Sequence, residues 1–162
     1  MIFATLLAVG YGDLAAQLPT PDAKTCKLLS TDAIESALGT AVTRQAGTDS
    51  DRYSSCTYSA GASASAKLEI HAPGQAGLPT SVAMGLEFAK ATIAEAMENF
   101  ETEALGNVGC YRGTLRLDEL GAINTTTCFI PSGYFVLTLG RSDELVPTAA
   151  VKELLEAVAE AR

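Results

Sequence analysis

The chain has a single histidine, His71, and no two of its four cysteines stand within 15 residues of each other. These scarcities exclude a good deal. A Ser-His-Asp or Cys-His nucleophilic site would have to be built on His71. Zinc sites and thiol redox centres usually draw their cysteines from CxxC pairs, and none is present. No GxSxG, HExxH, GxGxxG or P-loop occurs, so hydrolase, metalloprotease and nucleotide-binding readings have no motif to stand on. Basic residues are also few. Eleven Lys and Arg face 19 Asp and Glu, for a net charge of −8. A chain this acidic repels phosphate backbones and anionic bilayer surfaces, so nucleic acid is excluded as a partner and a charged membrane surface is disfavoured. No apolar run approaches the roughly 20 residues of a membrane-spanning helix.

What is present is a globular composition. Of 162 residues, 48% are hydrophobic and 19% charged, which suits one domain with a proper core. Ile2 to Val9 is a short apolar run that fits the middle of a secretory signal peptide, with cleavage after Ala15-Ala16. Two features depart from that pattern: no Lys or Arg precedes the run, and Leu14 is bulky for its place. A buried N-terminal strand is the competing reading. The expected organisation is a signal peptide over 1–16, a linker over 17–25 and one domain over 26–162. No cysteine stands at the cleavage point to carry a lipid anchor.

Along the domain, Ser30 or Thr31 can cap a short helix, Thr31 to Leu38, that Gly39 ends. A strand over Ala41 to Gln45 and a polar loop, GTDSDR, follow. SSCTYS forms a strand around Cys56. SAKLEIHA alternates: Leu68, Ile70 and Ala72 face one way, Lys67, Glu69 and His71 the other. After a loop rich in Pro and Gly, Thr80 or Ser81 caps a long helix, Val82 to Phe100, with an apolar stripe through Leu86, Ala89, Ile93 and Met97. Strands Cys110–Leu117, Ala122–Ile130 and Tyr134–Leu139 are separated by the turns DELG and PSG. Pro147 opens a last helix with Val151, Leu154, Leu155 and Val158 inward. The order predicts an α+β fold: an antiparallel sheet of five to six strands with three helices packed on one face.

Cys110 and Cys128 lie symmetrically about Glu119. A hairpin centred there sets them opposite each other, close enough to bridge, provided no bulge shifts the register. Cys26 and Cys56 remain. Four cysteines allow three pairings, and the favoured reading is two structural disulfides, Cys26–Cys56 and Cys110–Cys128. Staples of this kind agree with export.

The remaining polar and aromatic groups offer little chemistry. His71 reads as a solvated strand residue. Glu95, Glu98, Glu101 and Glu103 gather near the end of the long helix and read as a solvated acidic face. Asp49 and Asp51 lack the further ligands of a calcium loop. Asn124-Thr125-Thr126 matches a glycosylation sequon but lies in a strand. Tyr53, Tyr58, Tyr111 and Tyr134 fall in or beside strands. If several share the open face of the sheet they make a binding surface; otherwise each closes an edge of the core. No catalytic residue, metal or cofactor is assigned.

CKLLSTDAIESALGTAV, SSCTYS and KLEIHA resemble the opening half of a class of secreted bacterial domains of unknown function. EALGNVGCYRGTLRL and TTTCFIPSGYFVLTLG with the closing helix look like their second half. The resemblance implies a PsbP-like α+β sandwich of the kind found in actinobacterial lipoproteins and cell-envelope proteins, and it implies the Cys26–Cys56 bridge. The chain departs from that class in its Asn107-Val108-Gly109-Cys110 segment and in lacking a lipid-anchoring cysteine. The expected function is that of a secreted or periplasmic, non-enzymatic domain that binds a protein, lipid or small molecule at the cell envelope. The alternative is an inhibitor or immunity-like protein acting on a secreted enzyme, with Gly47 to Arg52 as its inserting loop.

Overall fold

The computed structural model of the chain describes residues 23–117, 121–132 and 134–162. The expected signal peptide over 1–16, positions 17–22 of the expected linker, and positions 118–120 and 133 lie outside the described residues.

The end of the expected linker belongs to the fold. Lys24–Lys27 wind one 3₁₀ turn, and Ala23, Thr25 and Cys26 are buried. They come close because Gly47 has no side chain: a Cβ there would lie 2.7 Å from the Cys26 sulfur and also strike Ala23. Ser30 then caps helix α1 (Thr31–Leu38), accepting from the Ala33 amide, and Gly39 ends it in the left-handed conformation at φ 68°.

Strands β1 (Arg44–Asp49), β2 (Tyr53–Ala60) and β3 (Ala64–His71) form a meander. Helix α2 (Val82–Thr92), capped by Ser81, leads through a 3₁₀ turn at Ala94–Ala96 into β4 (Met97–Leu105). Then come β5 (Val108–Leu117), β6 (Gly121–Ile130), β7 (Phe135–Arg141) and helix α3 (Thr148–Glu160). The seven strands make one antiparallel sheet in the order β1-β2-β3-β7-β6-β5-β4.

The α+β class and the three helices are as expected, but the sheet has seven strands rather than five or six. The added strand is β4; its first four residues, Met97 to Phe100, are the far end of the expected long helix, and the rest follow it. Residues 97–105 pair with β5, which satisfies backbone groups that would otherwise form an open edge. That gain overrides the helical spacing of Met97 and Phe100. β1 also differs, running through Gly47 to Asp49, so the expected GTDSDR loop shrinks to a turn closed by the Ser50 amide on the Tyr53 carbonyl.

The helices do not share one face. Cys56, Leu68, Leu137, Cys128 and Cys110 are register neighbours across five strands and are fully buried. With Ile34 and Leu38 of α1 and Val151, Leu155 and Val158 of α3 they form the main core. Side chains alternate along a strand, so Phe129, between Cys128 and Ile130, points to the opposite face. There α2 packs on it, with Gly85 against the Phe129 ring and Leu86 and Ala89 buried. α2 contacts β5 and β4. The half of this second face formed by β1, β2, β3 and β7 carries no packed helix among the described residues.

Candidate functional site

That uncovered half is where the sheet's outward residues accumulate. Register places Tyr53 of β2 opposite His71 of β3, and the His71 amide donates to the Tyr134 carbonyl. The three rings therefore stand side by side. Tyr53 and His71 have centroids 5.0 Å apart at 62°, and His71 and Tyr134 5.2 Å apart at 79°, both edge-on as aromatic quadrupoles prefer. One step along β3, the Glu69 carboxylate accepts from the Tyr53 hydroxyl at 2.7 Å and pairs with Lys67 Nζ at 2.8 Å.

A second row crosses the sheet below. Thr57, Lys67, Thr138, Thr127 and Tyr111 are successive register partners on β2, β3, β7, β6 and β5. The hydroxyls of Thr127 and Thr138 are 2.9 Å apart and share a hydrogen bond. Tyr111 is held by Phe100 of β4, with centroids 6.0 Å apart. The result is a shallow polar floor of hydroxyls with phenols at two ends and one ion pair beside it.

The electrostatics follow from partial burial. Desolvation raises the Tyr111 phenol above the ordinary tyrosine range; the Thr127 hydroxyl opposes this and the Glu69 charge adds to it. Tyr134 is raised by burial first, then by Tyr111 and Glu69. For Lys67, burial pulls downward, but the hydrogen bond and charge of Glu69, aided by Tyr53, outweigh it and the ammonium is held above its usual range. At neutral pH the Tyr111 and Tyr134 phenols keep their protons and can donate, and Lys67 keeps its charge beside Glu69.

Tyr134 stands out in its backbone. Its φ is +39°, a left-handed conformation that a bulky side chain rarely adopts. Such strain costs about 1–3 kcal/mol and gathers at functional positions. Here it delivers the ring to His71.

Of the four expected tyrosines, the structure brings Tyr53, Tyr111 and Tyr134 to one face. Tyr58 is not among them: it is fully buried on the other face, its hydroxyl donating to the Leu29 carbonyl at 2.7 Å, and burial raises its phenol despite the opposing Gln45. His71, expected as a solvated residue, is half-buried between two rings. Its Nδ1 is buried without a hydrogen-bond partner among the described residues. Lys67 and Glu69 stand on the polar side of β3 that the alternation of KLEIH predicts, while Thr127 and Thr138 join them through the pairing of β3, β7 and β6, which no local pattern announces.

The other candidates disperse. Glu98 and Glu101 lie on β4, not on a helix end, and pair across the strands with Arg116 and Arg112. Glu103 accepts from the Thr148 hydroxyl at 2.7 Å. Asp49 accepts from the Lys24 amide at 2.8 Å, and Asp51 is exposed in the turn. Among the described residues no three His, Cys, Asp or Glu side chains converge as a metal site. In the sequon, Asn124 accepts from the Thr114 hydroxyl, while Thr126 is fully buried and donates to the Val146 carbonyl. Both disulfides form, Cys26–Cys56 and Cys110–Cys128, the latter between directly opposite residues. Four cavities among the described residues measure about 200–290 Å³, below the usual range for enclosed small-molecule sites. No helix among the described residues is long and apolar enough to cross a membrane.

Fold and site together define a disulfide-stapled α+β domain that presents one aromatic, hydroxyl-rich face. Comparison of the chain with protein-family models, with curated proteins and with solved structures gives no match. The reading of the site rests on its own residues.

Proposed function

We propose that this protein is a secreted or periplasmic, non-enzymatic binding domain of the cell envelope, and that its ligand lies on the uncovered half of the sheet. The observation that carries this is the convergence of Tyr53, His71 and Tyr134 around the Lys67–Glu69 pair, on the half of the second face that carries no packed helix among the described residues, with Tyr111 of β5 at its border. Tyrosine offers large, rigid contact area with a polar end, which is why it is enriched at binding surfaces. Two disulfides support an oxidising compartment. The resemblance to secreted PsbP-like domains belongs to the same proposal.

The inhibitor reading has less behind it. It needs an inserting loop, and Gly47–Asp49 are held in β1, leaving only the short turn at Ser50–Arg52.

The test is co-sedimentation of the purified protein with an envelope fraction of the source organism, beside a Tyr111→Ala/Tyr134→Ala variant. Retention of the wild type and its loss in the folded variant support the proposal. Equal retention of both moves the binding surface elsewhere.

A further inference from the structure

Building on the proposed binding face, we infer that its ligand is a neutral saccharide, laid across the strands from Tyr53 towards Tyr111. The first argument is charge. Beside the aromatic row the face holds one carboxylate and one ammonium, 2.8 Å apart and already paired, while the exposed Arg44 stands apart on the edge strand β1. An anion would find its only close ammonium neutralised, in a chain of net charge −8. A quaternary ammonium would find Glu69 occupied by Lys67 and by the Tyr53 hydroxyl. A charge-balanced pair instead sets an acceptor beside a donor, the arrangement that neighbouring hydroxyls of an uncharged ligand can exchange hydrogen bonds with.

The second argument is shape. Adjacent strands repeat at about 4.8 Å, so the four strand steps from β2 to β5 span about 19 Å. Along that line Thr57, Lys67, Thr138, Thr127 and Tyr111 recur one per strand, all on the outward side. This is a ladder of hydrogen-bonding groups running across the strands on one side of the sheet. Thr127 is buried and bonded to Thr138, so a chain of hydroxyl-bearing rings meets its open partners at Thr57, Lys67 and Tyr111, with the Thr138 hydroxyl between them.

The third argument is the walls. Tyr53, His71 and Tyr134 are half-buried and locked edge-on, so they are rigid. Tyr134 is held at a strained backbone angle to complete them. A sugar ring has one face of C–H groups and a rim of hydroxyls. Phenol and imidazole rings accept the first, and their polar ends, with Glu69 and Lys67, accept the second.

The experiment is a nuclear magnetic resonance titration of the isotopically labelled full chain. Glucose, galactose and arabinose are compared with their linear trimers, and tetramethylammonium and inorganic phosphate are run alongside. Intrinsic fluorescence gives a second readout, since the chain has no tryptophan and five tyrosines. The expected result is that at least one trimer shifts signals of residues 53, 67, 71, 111 and 134. That trimer is expected to bind about ten-fold more tightly than its monomer, about 1.4 kcal/mol. Glu69→Gln weakens binding several-fold while the spectrum of the core stays unchanged. A gain with chain length assigns the ligand to an envelope polysaccharide, whereas equal affinity for the monomer assigns it to a free sugar. If no saccharide shifts the face, the inference fails. If tetramethylammonium or phosphate shifts it instead, the saccharide class is wrong while the binding face stands. If saccharides shift only residues elsewhere, such as those around Met84 and Phe88, both the inference and the assignment of the face fall.

Discussion

The ring of Phe129 occupies the space that a side chain at Gly109 would need: a Cβ on Gly109 would lie 2.7 Å from its Cε1. Gly85 of α2 meets the same ring from the helix side. One aromatic side chain thus fastens α2 to the second face, and two absent side chains make room for it. Gly109→Ala is expected to cost about 1–3 kcal/mol by overpacking. Phe129→Ala is expected to release α2 while leaving the main core folded. Urea unfolding measures the first, and amide hydrogen exchange across residues 82–92 measures the second.

The four strand tyrosines are expected to separate into two classes. Tyr58→Phe leaves the buried Leu29 carbonyl without its donor and should cost about 1–3 kcal/mol. Tyr53→Phe removes a hydrogen bond to a side chain that keeps Lys67, so its cost should be about 1 kcal/mol or less. Equal losses in denaturation midpoint would contradict the assignment of Tyr58 to the core and Tyr53 to the site.

The disulfides close loops between cysteines 30 and 18 residues apart. In the chain-entropy account each contributes about 3–4 kcal/mol. The Cys26→Ala/Cys56→Ala variant should lose about that much and free the 3₁₀ turn from its covalent tie to β2. Intact-mass measurement on protein from an oxidising compartment should show no alkylation before reduction and four alkyl groups after it.

Stability should fall on the alkaline side. Burial raises the phenols of Tyr58, Tyr111 and Tyr134. Up to about pH 10 phenols in the unfolded chain are also neutral, so they leave stability unchanged. Above it the unfolded chain releases protons that the folded protein keeps, which favours unfolding. Lys67 acts in the same direction: its folded-state pKa is raised, so its contribution is complete below the ordinary lysine value and is lost as the pH climbs through the raised one. Urea midpoints should therefore drop above about pH 10, and the drop should be smaller in Tyr111→Phe. An unchanged slope in that variant would remove Tyr111 from the account.

Much of the fold was legible because local signals agreed with the global one. Ser30 and Gly39 bracket α1, KLEIH alternates, and the hairpin symmetry of Cys110 and Cys128 survives as true register. What was not legible depended on partners far away in the chain. Met97 to Phe100 carry the end of the expected helical stripe, yet with residues 101–105 they become a strand because β5 has a free edge and because Glu98 and Glu101 meet Arg116 and Arg112 across it. The site was half visible. The tyrosines could be named, but which of them shared a face depended on β3 pairing with β7, a contact between residues about 70 apart. The same pairing turned His71 from an isolated polar residue into the centre of an aromatic row.

The alternation of β3 and β7 has a consequence for how this protein can change. Leu68 and Leu137 hold the fold from one side of the sheet, and Lys67, Glu69 and Thr138 meet solvent from the other. Inward and outward roles are written on alternating positions of the same strands. For the binding face proposed above, substitutions on the outward set would retune the ligand one residue at a time without disturbing the inward set, so specificity could drift while the architecture stays put.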